Sequence, residues 1–183
     1  LTPTRNIVST ANLDCHLDLR HVALNAINTE YSPKRSPGLT MRFRVPRVTG
    51  VYFSTGRLII FGAKSLRENK LAARKFGRVI QKLGYYPRLK EMRIRNIVAT
   101  FRMGRKIDCV ALAKSEHWEK CFYEPERFPA LEYGYGEVDE RGKPEVTVRV
   151  FESGRVTIMG VGSEEKLVEV FEKMKILLEG FRR

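Results

Sequence analysis

Three cysteines in 183 residues, Cys15, Cys109 and Cys121, are too few and too widely set for the disulfide framework of a small secreted domain. Cys109, His117 and Cys121 come nearest to a metal set, but a fourth ligand at fitting spacing is missing, and His16 and His21 build no second one. Reduced, mostly buried thiols are the plain reading. Acidic residues are also scarce: 21 Asp and Glu stand against 34 Lys and Arg, a formal net charge of +13, which favours a polyanionic partner, nucleic acid first. No apolar run approaches the roughly 18 to 20 residues of a membrane-spanning helix, and the N-terminus lacks the basic-then-apolar order of a secretory signal. These absences point to a soluble, intracellular protein. A phosphate loop, a nucleophile elbow and a Ser/His/Asp order are all missing. Gly134-Tyr135-Gly136 is a lone glycine pair in a strand-rich stretch and reads as a bulge rather than a cofactor loop.

What the chain does contain is a second copy of itself. Val51-Tyr52-Phe53-Ser54-Thr55-Gly56-Arg57-Leu58-Ile59-Ile60-Phe61-Gly62 returns 98 residues on, from Arg149-Val150-Phe151-Glu152-Ser153-Gly154-Arg155 to Gly160. Each copy leads a Phe into a Gly-Arg turn between β-branched runs, a hairpin pattern. Arg5 to Thr10 matches Arg95 to Thr100 at an offset of 90, and Leu17-Asp18-Leu19 matches Ile107-Asp108-Cys109. Tyr31-Ser32-Pro33 and Arg35-Ser36-Pro37 match Tyr123-Glu124-Pro125 and Arg127-Phe128-Pro129 at 92. The step from 92 to 98 marks an insertion, read as an enlarged turn at Asp139 to Lys143. Leu83-Gly84-Tyr85 answers Glu179-Gly180-Phe181 at 96, which makes the last helix two residues shorter. Two copies at so long a period describe a duplicated domain, with repeats at 1–91 and 92–183.

Each half reads as four or five strands and two helices. The first has strands at 6–12, 39–45, 47–54 and 57–62, a short helix from its cap Asp18 to about Ala26, and a long one from Ser65 to Leu83. That long helix is expected to bury Leu71, Ala72, Phe76, Val79, Ile80 and Leu83. The second half has strands at 93–101, 131–137, 145–151 and 155–160 and helices at 107–114 and 163–180, the last burying Leu167, Val170, Phe171, Met174, Leu177 and Leu178. This composition implies an α+β fold, an antiparallel sheet with helices on one face only.

The two-residue period sorts the faces. Val146, Val148 and Val150 turn toward the helices, while Thr147, Arg149 and Phe151 turn away, in phase with Val8, Thr10, Thr49, Val51, Phe53, Ile59 and Phe61 of the first half. An open face of this kind, rimmed by Arg42, Arg57, Lys64, Arg78 and Arg155, suits a large, partly apolar, negatively charged ligand. The DNA minor groove qualifies, because its floor carries few and degenerate polar groups. The face offers only Arg, Asn, Thr and apolar groups, so a DNA-processing enzyme module would lack the carboxylate or Lys it needs.

At this point the residues resemble a known family. Asn6-Ile7-Val8, Tyr31-Ser32-Pro33-Lys34-Arg35, Met41-Arg42, Gly62-Ala63-Lys64-Ser65, Lys70-Leu71-Ala72-Ala73-Arg74-Lys75, Gln81-Lys82-Leu83-Gly84, Asn96-Ile97-Val98 and Tyr123-Glu124-Pro125-Glu126 are similar to the core of the eukaryotic TATA-box-binding protein family, over almost the whole chain. The resemblance implies two pseudo-symmetric repeats forming a curved antiparallel saddle with helices on the convex face, and minor-groove bending by inserted apolar wedges, the behaviour for which this family is known. Its paired Asn fall on Asn6 and Asn96, its sheet contacts on Val8, Val51, Ile59, Val98 and Thr157, with Thr10, Thr100 and Ser153 beside them. The basic rim, with Arg35 added to Arg42, Arg57, Lys64, Arg78 and Arg155, is expected to meet the phosphates. The kinking Phe fall on Phe53, Phe128 and Phe151, and Ser36 holds the fourth wedge position. Phe61 and Met159 replace the family's paired Thr, Arg5 and Arg95 replace the Gln before each Asn, Arg149 replaces an aliphatic residue, and Gly134 and Gly162 stand where basic contacts are usual.

The resemblance also implies partners. From Arg67 to Lys82 the first long helix carries six basic residues and one acid, while Ser163 to Gly180 carries five acids and three bases. Family members present the basic helix, here Lys70, Arg74, Lys75 and Lys82, to factor A of the RNA polymerase II set and to negative regulators. Glu124 and Glu126 match the contact for factor B, with Arg127 in place of an apolar residue; TATA-binding-protein-associated factors complete the set. The expectation is a nuclear, non-enzymatic initiation factor with no cofactor and no metal, which binds promoter DNA and nucleates the preinitiation complex. The exposed face also leaves room for a homodimer without DNA. The alternatives are a divergent relative with relaxed or lost TATA recognition that acts as an interaction platform, and a DNA-processing module.

Overall fold

The computed structural model describes residues 4–183. Contacts divide the chain into two units, Asn6–Arg95 and Asn96–Arg183, the second also taking in Arg5. The first is built from β1 (Thr4–Asn12), α1 (Leu19–Asn25), β2 (Thr29–Glu30), β3 (Leu39–Phe43), β4 (Val48–Tyr52), β5 (Arg57–Ala63) and α2 (Leu66–Lys82). The second has β6 (Lys90–Arg102), whose residues up to Arg95 count with the first unit, α3 (Cys109–Ala113), β7 (Cys121–Phe122), β8 (Ala130–Val138), β9 (Pro144–Phe151), β10 (Arg155–Val161) and α4 (Glu164–Glu179). Strands run in the order β2-β3-β4-β5-β1 within the first unit and β6-β10-β9-β8-β7 within the second. The pairings within each are antiparallel. The α+β class is therefore as expected. Among the described residues no helix is long and apolar enough to cross a membrane.

Local chemistry accounts for the element ends. Asp18 caps α1 by accepting from the Arg20 and His21 amides, Asp108 accepts from the Ala111 amide ahead of α3, and Ser65 and Ser163 open α2 and α4 through the Glu68 and Lys166 amides. Each hairpin Gly is clasped from outside: the Leu13 and Met103 amides donate to the Gly56 and Gly154 carbonyls at 2.9 and 2.8 Å. Both glycines have positive φ, +86° and +78°, and a Cβ there would lie 2.4 Å from the Cys15 carbonyl oxygen or 2.0 Å from that of Arg105. Only Gly fits.

The core of each unit lies between sheet and long helix. Ala72, Ala73, Phe76 and Ile80 of α2 lie on Leu39, Met41, Val48, Tyr52, Leu58 and Ile60, all fully or nearly fully buried. The Tyr52 ring meets Phe76 edge-on at 5.8 Å, and its hydroxyl donates to the Phe76 carbonyl at 2.9 Å. In the second unit Leu167, Val170, Met174 and Leu178 cover Val146, Val148, Val150, Val156 and Ile158.

Some expectations need correction. Leu71 is 53% exposed: the buried stripe of α2 runs through Asn69, Ala72, Ala73, Phe76 and Ile80, and position 71 lies outside that arc. The helix α4 is one residue shorter than α2, 16 against 17, because the rest of the offset falls in the chain after it. Strand β3 stops at Phe43, since the next residues form the turn into β4. The two-residue strands β2 and β7 are too short to show a period. The bulge at Gly136 is present, as a register shift between Tyr135 and Val138 with φ +87°, and Asp139 closes the enlarged turn by accepting from the Arg141 and Lys143 amides at 2.9 Å.

Candidate nucleic-acid interface

On the side of each sheet away from the helices, register fixes which side chains stand together. In the first unit Thr40, Val51, Ile59 and Thr10 lie side by side across β3, β4, β5 and β1. Their counterparts are Glu132, Arg149, Thr157 and Thr100, across β8, β9, β10 and β6. Directly opposed residues share a face, so each set of four is one row of open surface. A second row holds Arg42, Thr49 and Phe61 in the first unit and Gly134, Thr147 and Met159 in the second. Val8, Val51, Phe53, Ile59, Val98, Phe151, Thr157 and Met159 are half-buried and Phe61 is 37% exposed. These side chains alternate with the buried residues that face the helices.

The two asparagines sit at matching defects in the sheets. A register shift between Ile7 and Ser9 brings the Gly62 amide to Asn6 Oδ1 at 2.9 Å, and one between Ile158 and Val161 brings the Gly160 amide to Asn96 Oδ1 at 3.0 Å. Because an amide N–H can meet only the oxygen, the side-chain orientation is settled: each Nδ2 is left as a donor directed away from that contact. Gly62 and Gly160 reach the required backbone with φ +98° and +94°.

The aromatic side chains expected to act as wedges are unequal between units. Phe128 and Phe151 meet edge-on at 6.2 Å. The Arg149 guanidinium lies 4.9 Å from the Phe128 ring and that of Arg155 lies 4.0 Å from the Phe151 ring. In the first unit Ser36 takes the place of the second ring, and its hydroxyl accepts from the Gly38 amide at 3.3 Å. Phe53 has no aromatic companion there among the described residues.

Several expected contacts change role. Thr10 is 6% exposed, because Arg95 Nε donates to its hydroxyl at 2.9 Å and covers it. Arg5, the sister of Arg95, forms an ion pair with Glu164. Arg149 is not a free cation: its Nε donates to Glu132 Oε1 at 2.8 Å. Glu132 also corrects the expectation that the face holds no carboxylate, and the alternation of buried Leu131 and Tyr133 around it was the available signal. Arg42 pairs with Glu30 at 3.2 Å. Arg78 stands in α2, on the side of the sheet that the helices cover, and leaves the rim. Arg35, Arg57, Lys64, Ser153 and Arg155 are exposed; Thr100 shares a hydrogen bond with Thr157 at 3.2 Å.

Of the expected partner residues, Lys70, Arg74 and Lys82 are exposed, whereas Lys75 lies over the Phe43 ring at 5.0 Å and donates to the Val45 carbonyl. Glu124, Glu126 and Arg127 are exposed, with Arg127 3.9 Å from Glu124. Burial pushes the thiols of Cys109 and Cys121 up to about 11, so both stay protonated at neutral pH. Among the described residues no three His, Cys, Asp or Glu side chains gather as a metal site.

A duplicated α+β protein with its organised polar and aromatic groups on an open strand surface offers that surface as its candidate site. A family model described as transcription factor TFIID, or TATA-binding protein, matches residues 3–83 and 91–181. The TATA box-binding protein-like 2 of Mus musculus is 44% identical over 179 residues, 98% of this chain and 49% of that protein. The TATA-box-binding protein of Emericella nidulans is 40% identical over 184 residues, all of this chain and 66% of that protein. The solved structure of Methanococcus jannaschii TBP superposes with a TM-score of 0.80 at 31% identity and 98% coverage of both chains. The chain belongs to the TATA-binding protein family, a family of transcription factors and not of enzymes. It spans about half the length of the first of these relatives.

Proposed function

We propose that the protein binds double-stranded promoter DNA through the minor groove and bends it, each repeat laying its open face on one half of the site. The observation that carries this is the pair of clasped asparagines, Asn6 on Gly62 and Asn96 on Gly160. Each leaves its Nδ2 donor without a protein acceptor among the described residues, and the A·T minor groove offers only the acceptors A N3 and T O2. Around them the apolar Val8, Val51, Ile59 and Val98 suit a groove floor with few polar groups. Phe53, Phe128 and Phe151 serve as wedges, and Ser36 makes the first-half kink the weaker one.

On this reading the protein works in the nucleus in transcription initiation. The exposed Lys70, Arg74 and Lys82 of α2 meet factor A of the polymerase II set or negative regulators, and Glu124 and Glu126 meet factor B. A second reading, an interaction platform without DNA recognition, draws on Glu132, a carboxylate on the open face. A fluorescence-anisotropy titration of a TATA duplex at fixed salt distinguishes the two. Duplex binding that weakens about tenfold in Asn6→Ala and again in Asn96→Ala is the expected result. Absence of duplex binding, or equal binding by the variants, would count against the DNA reading.

A further inference from the structure

We propose that the second repeat carries a subsite for a G·C base pair, formed by Glu132 and Arg149, so that the two halves of the face read different DNA. The proposal rests on the minor-groove reading above and adds to it a specificity that the family resemblance does not supply. Equivalent rows of the two units differ in chemistry. In the first unit the row is Thr40, Val51, Ile59 and Thr10: two aliphatic side chains fill its centre, and its last hydroxyl is taken by Arg95. In the second the row is Glu132, Arg149, Thr157 and Thr100, and every member bears a hydrogen-bonding group.

The difference bears on the one polar group that separates base pairs in this groove. A·T and T·A show acceptors alone, while G·C adds the guanine N2 amino donor. Against Val51 and Ile59 that amino group would lose its water and gain no partner, so the first row disfavours G·C. Glu132 reverses the preference. A carboxylate only accepts, so facing A·T it meets acceptors and is repelled, whereas facing guanine N2 it is satisfied. Its Oε1 already receives Arg149 Nε at 2.8 Å, and among the described residues Oε2 has no protein donor. The pair is about one-third exposed, 35% for Glu132 and 39% for Arg149, so its polar edges are within reach of a ligand. Arg149 offsets the cost of bringing a carboxylate near phosphates, and it is steadied by the Phe128 ring at 4.9 Å. Its Nη groups make no side-chain contact with a carboxylate beyond this pair among the described residues and can donate to the cytosine O2 or guanine N3 acceptors of the same base pair. A small cavity of about 260 Å³ lies at this spot, lined by Phe122, Phe128, Glu132 and Arg149 among others, next to the intact wedge pair.

The test is a set of duplexes based on a TATA site in which each A·T pair is replaced singly by G·C or by inosine·C, the latter lacking only the N2 amino group. They are titrated at one salt concentration against the protein and its Glu132→Thr/Arg149→Val double variant, which installs the first repeat's residues. The expected result is one position in one half-site where G·C binds about tenfold tighter than inosine·C, a difference lost in the double variant. Binding to the duplexes with G·C nowhere favoured over inosine·C overturns the subsite and leaves the minor-groove reading standing. The same holds if the double variant keeps the preference. Absence of binding to every duplex overturns both. The comparison of guanine with inosine in the unaltered protein needs no variant to fold.

Discussion

The hydroxyl of Ser9 donates to Oδ1 of Asn69 at 2.9 Å inside the first unit, where both residues are fully buried and the Asn69 Nδ2 is left without a partner. The second unit has Ala99 at the position of Ser9 and Leu167 at that of Asn69, both packed as core. One repeat thus holds a strand to its helix with a polar pair, the other with apolar contact.

This relationship sets the first prediction. Ser9→Ala alone leaves both polar ends of Asn69 unpaired and costs about 1–3 kcal/mol. Adding Asn69→Leu removes the orphaned amide and returns stability to the original value or above, since replacing both partners by apolar groups is close to neutral. Urea unfolding of the two single variants and the double reads the cycle. Additive losses would mean that the pair is not the unit of stability.

The same comparison separates what the sequence reveals from what it hides. The duplication, the Asp and Ser caps and the open face were legible because each is a local pattern: a repeated string, a capping residue before an apolar run, an alternation of period two. The roles of Thr10, Arg149 and Asn69 were not. Each depends on a partner far along the chain, Arg95, Glu132 and Ser9, and on a register that side-chain period leaves undetermined. The asparagine clasps needed the bulges as well, and a bulge shifts phase without any residue that must announce it. Leu71 stands on the solvated side of α2, because its helical neighbours Arg74, Lys75 and Arg78 are exposed.

Gly56→Ala and Gly154→Ala should each destabilise by about 2–4 kcal/mol, combining a left-handed backbone with a clash against a carbonyl oxygen. Thermal unfolding checks this. The two losses should be similar, because the clasp by Leu13 at one turn is repeated by Met103 at the other. A tolerated Ala at either turn would contradict the geometry.

Ser36→Phe should restore the missing wedge. Position 36 is exposed, so folding stability should change little, while affinity for a TATA duplex rises about three- to tenfold, the scale of an added aromatic contact. Energy transfer between dyes at the duplex ends should report a larger bend. Phe128→Ser is the mirror experiment and should reduce it. If neither substitution alters the bend, these positions are not wedges.

Acid should act on the second unit through Glu169. The Tyr135 hydroxyl donates to its carboxylate at 2.7 Å and Lys173 donates at 3.1 Å, which together hold its carboxyl at about 2. A carboxyl that is more acidic when folded contributes stability above its unfolded value, and that contribution is lost as pH falls toward the folded one. The loss should therefore lie between about pH 4.5 and 2. Glu169→Gln should flatten this part of the curve of melting temperature against pH at low salt and leave the neutral region less affected by further acid. An unchanged acid limb in that variant would assign the effect to other carboxylates.

Salt should expose which cations meet phosphate. The logarithm of duplex affinity falls with the logarithm of salt by about 0.9 per phosphate neutralised. Arg57 and Lys64 are exposed on the open side and have no carboxylate partner among the described residues, so Arg57→Ala and Lys64→Ala should each lower the slope by about one. Arg149 differs because its charge is balanced by Glu132. The Glu132→Thr/Arg149→Val double variant removes one charge of each sign and should leave the slope unchanged. Glu132→Thr alone frees Arg149 and should steepen the slope by about one. The outcome that would contradict this assignment is a double variant whose slope falls by one, because Arg149 would then leave Glu132 for a phosphate when DNA binds.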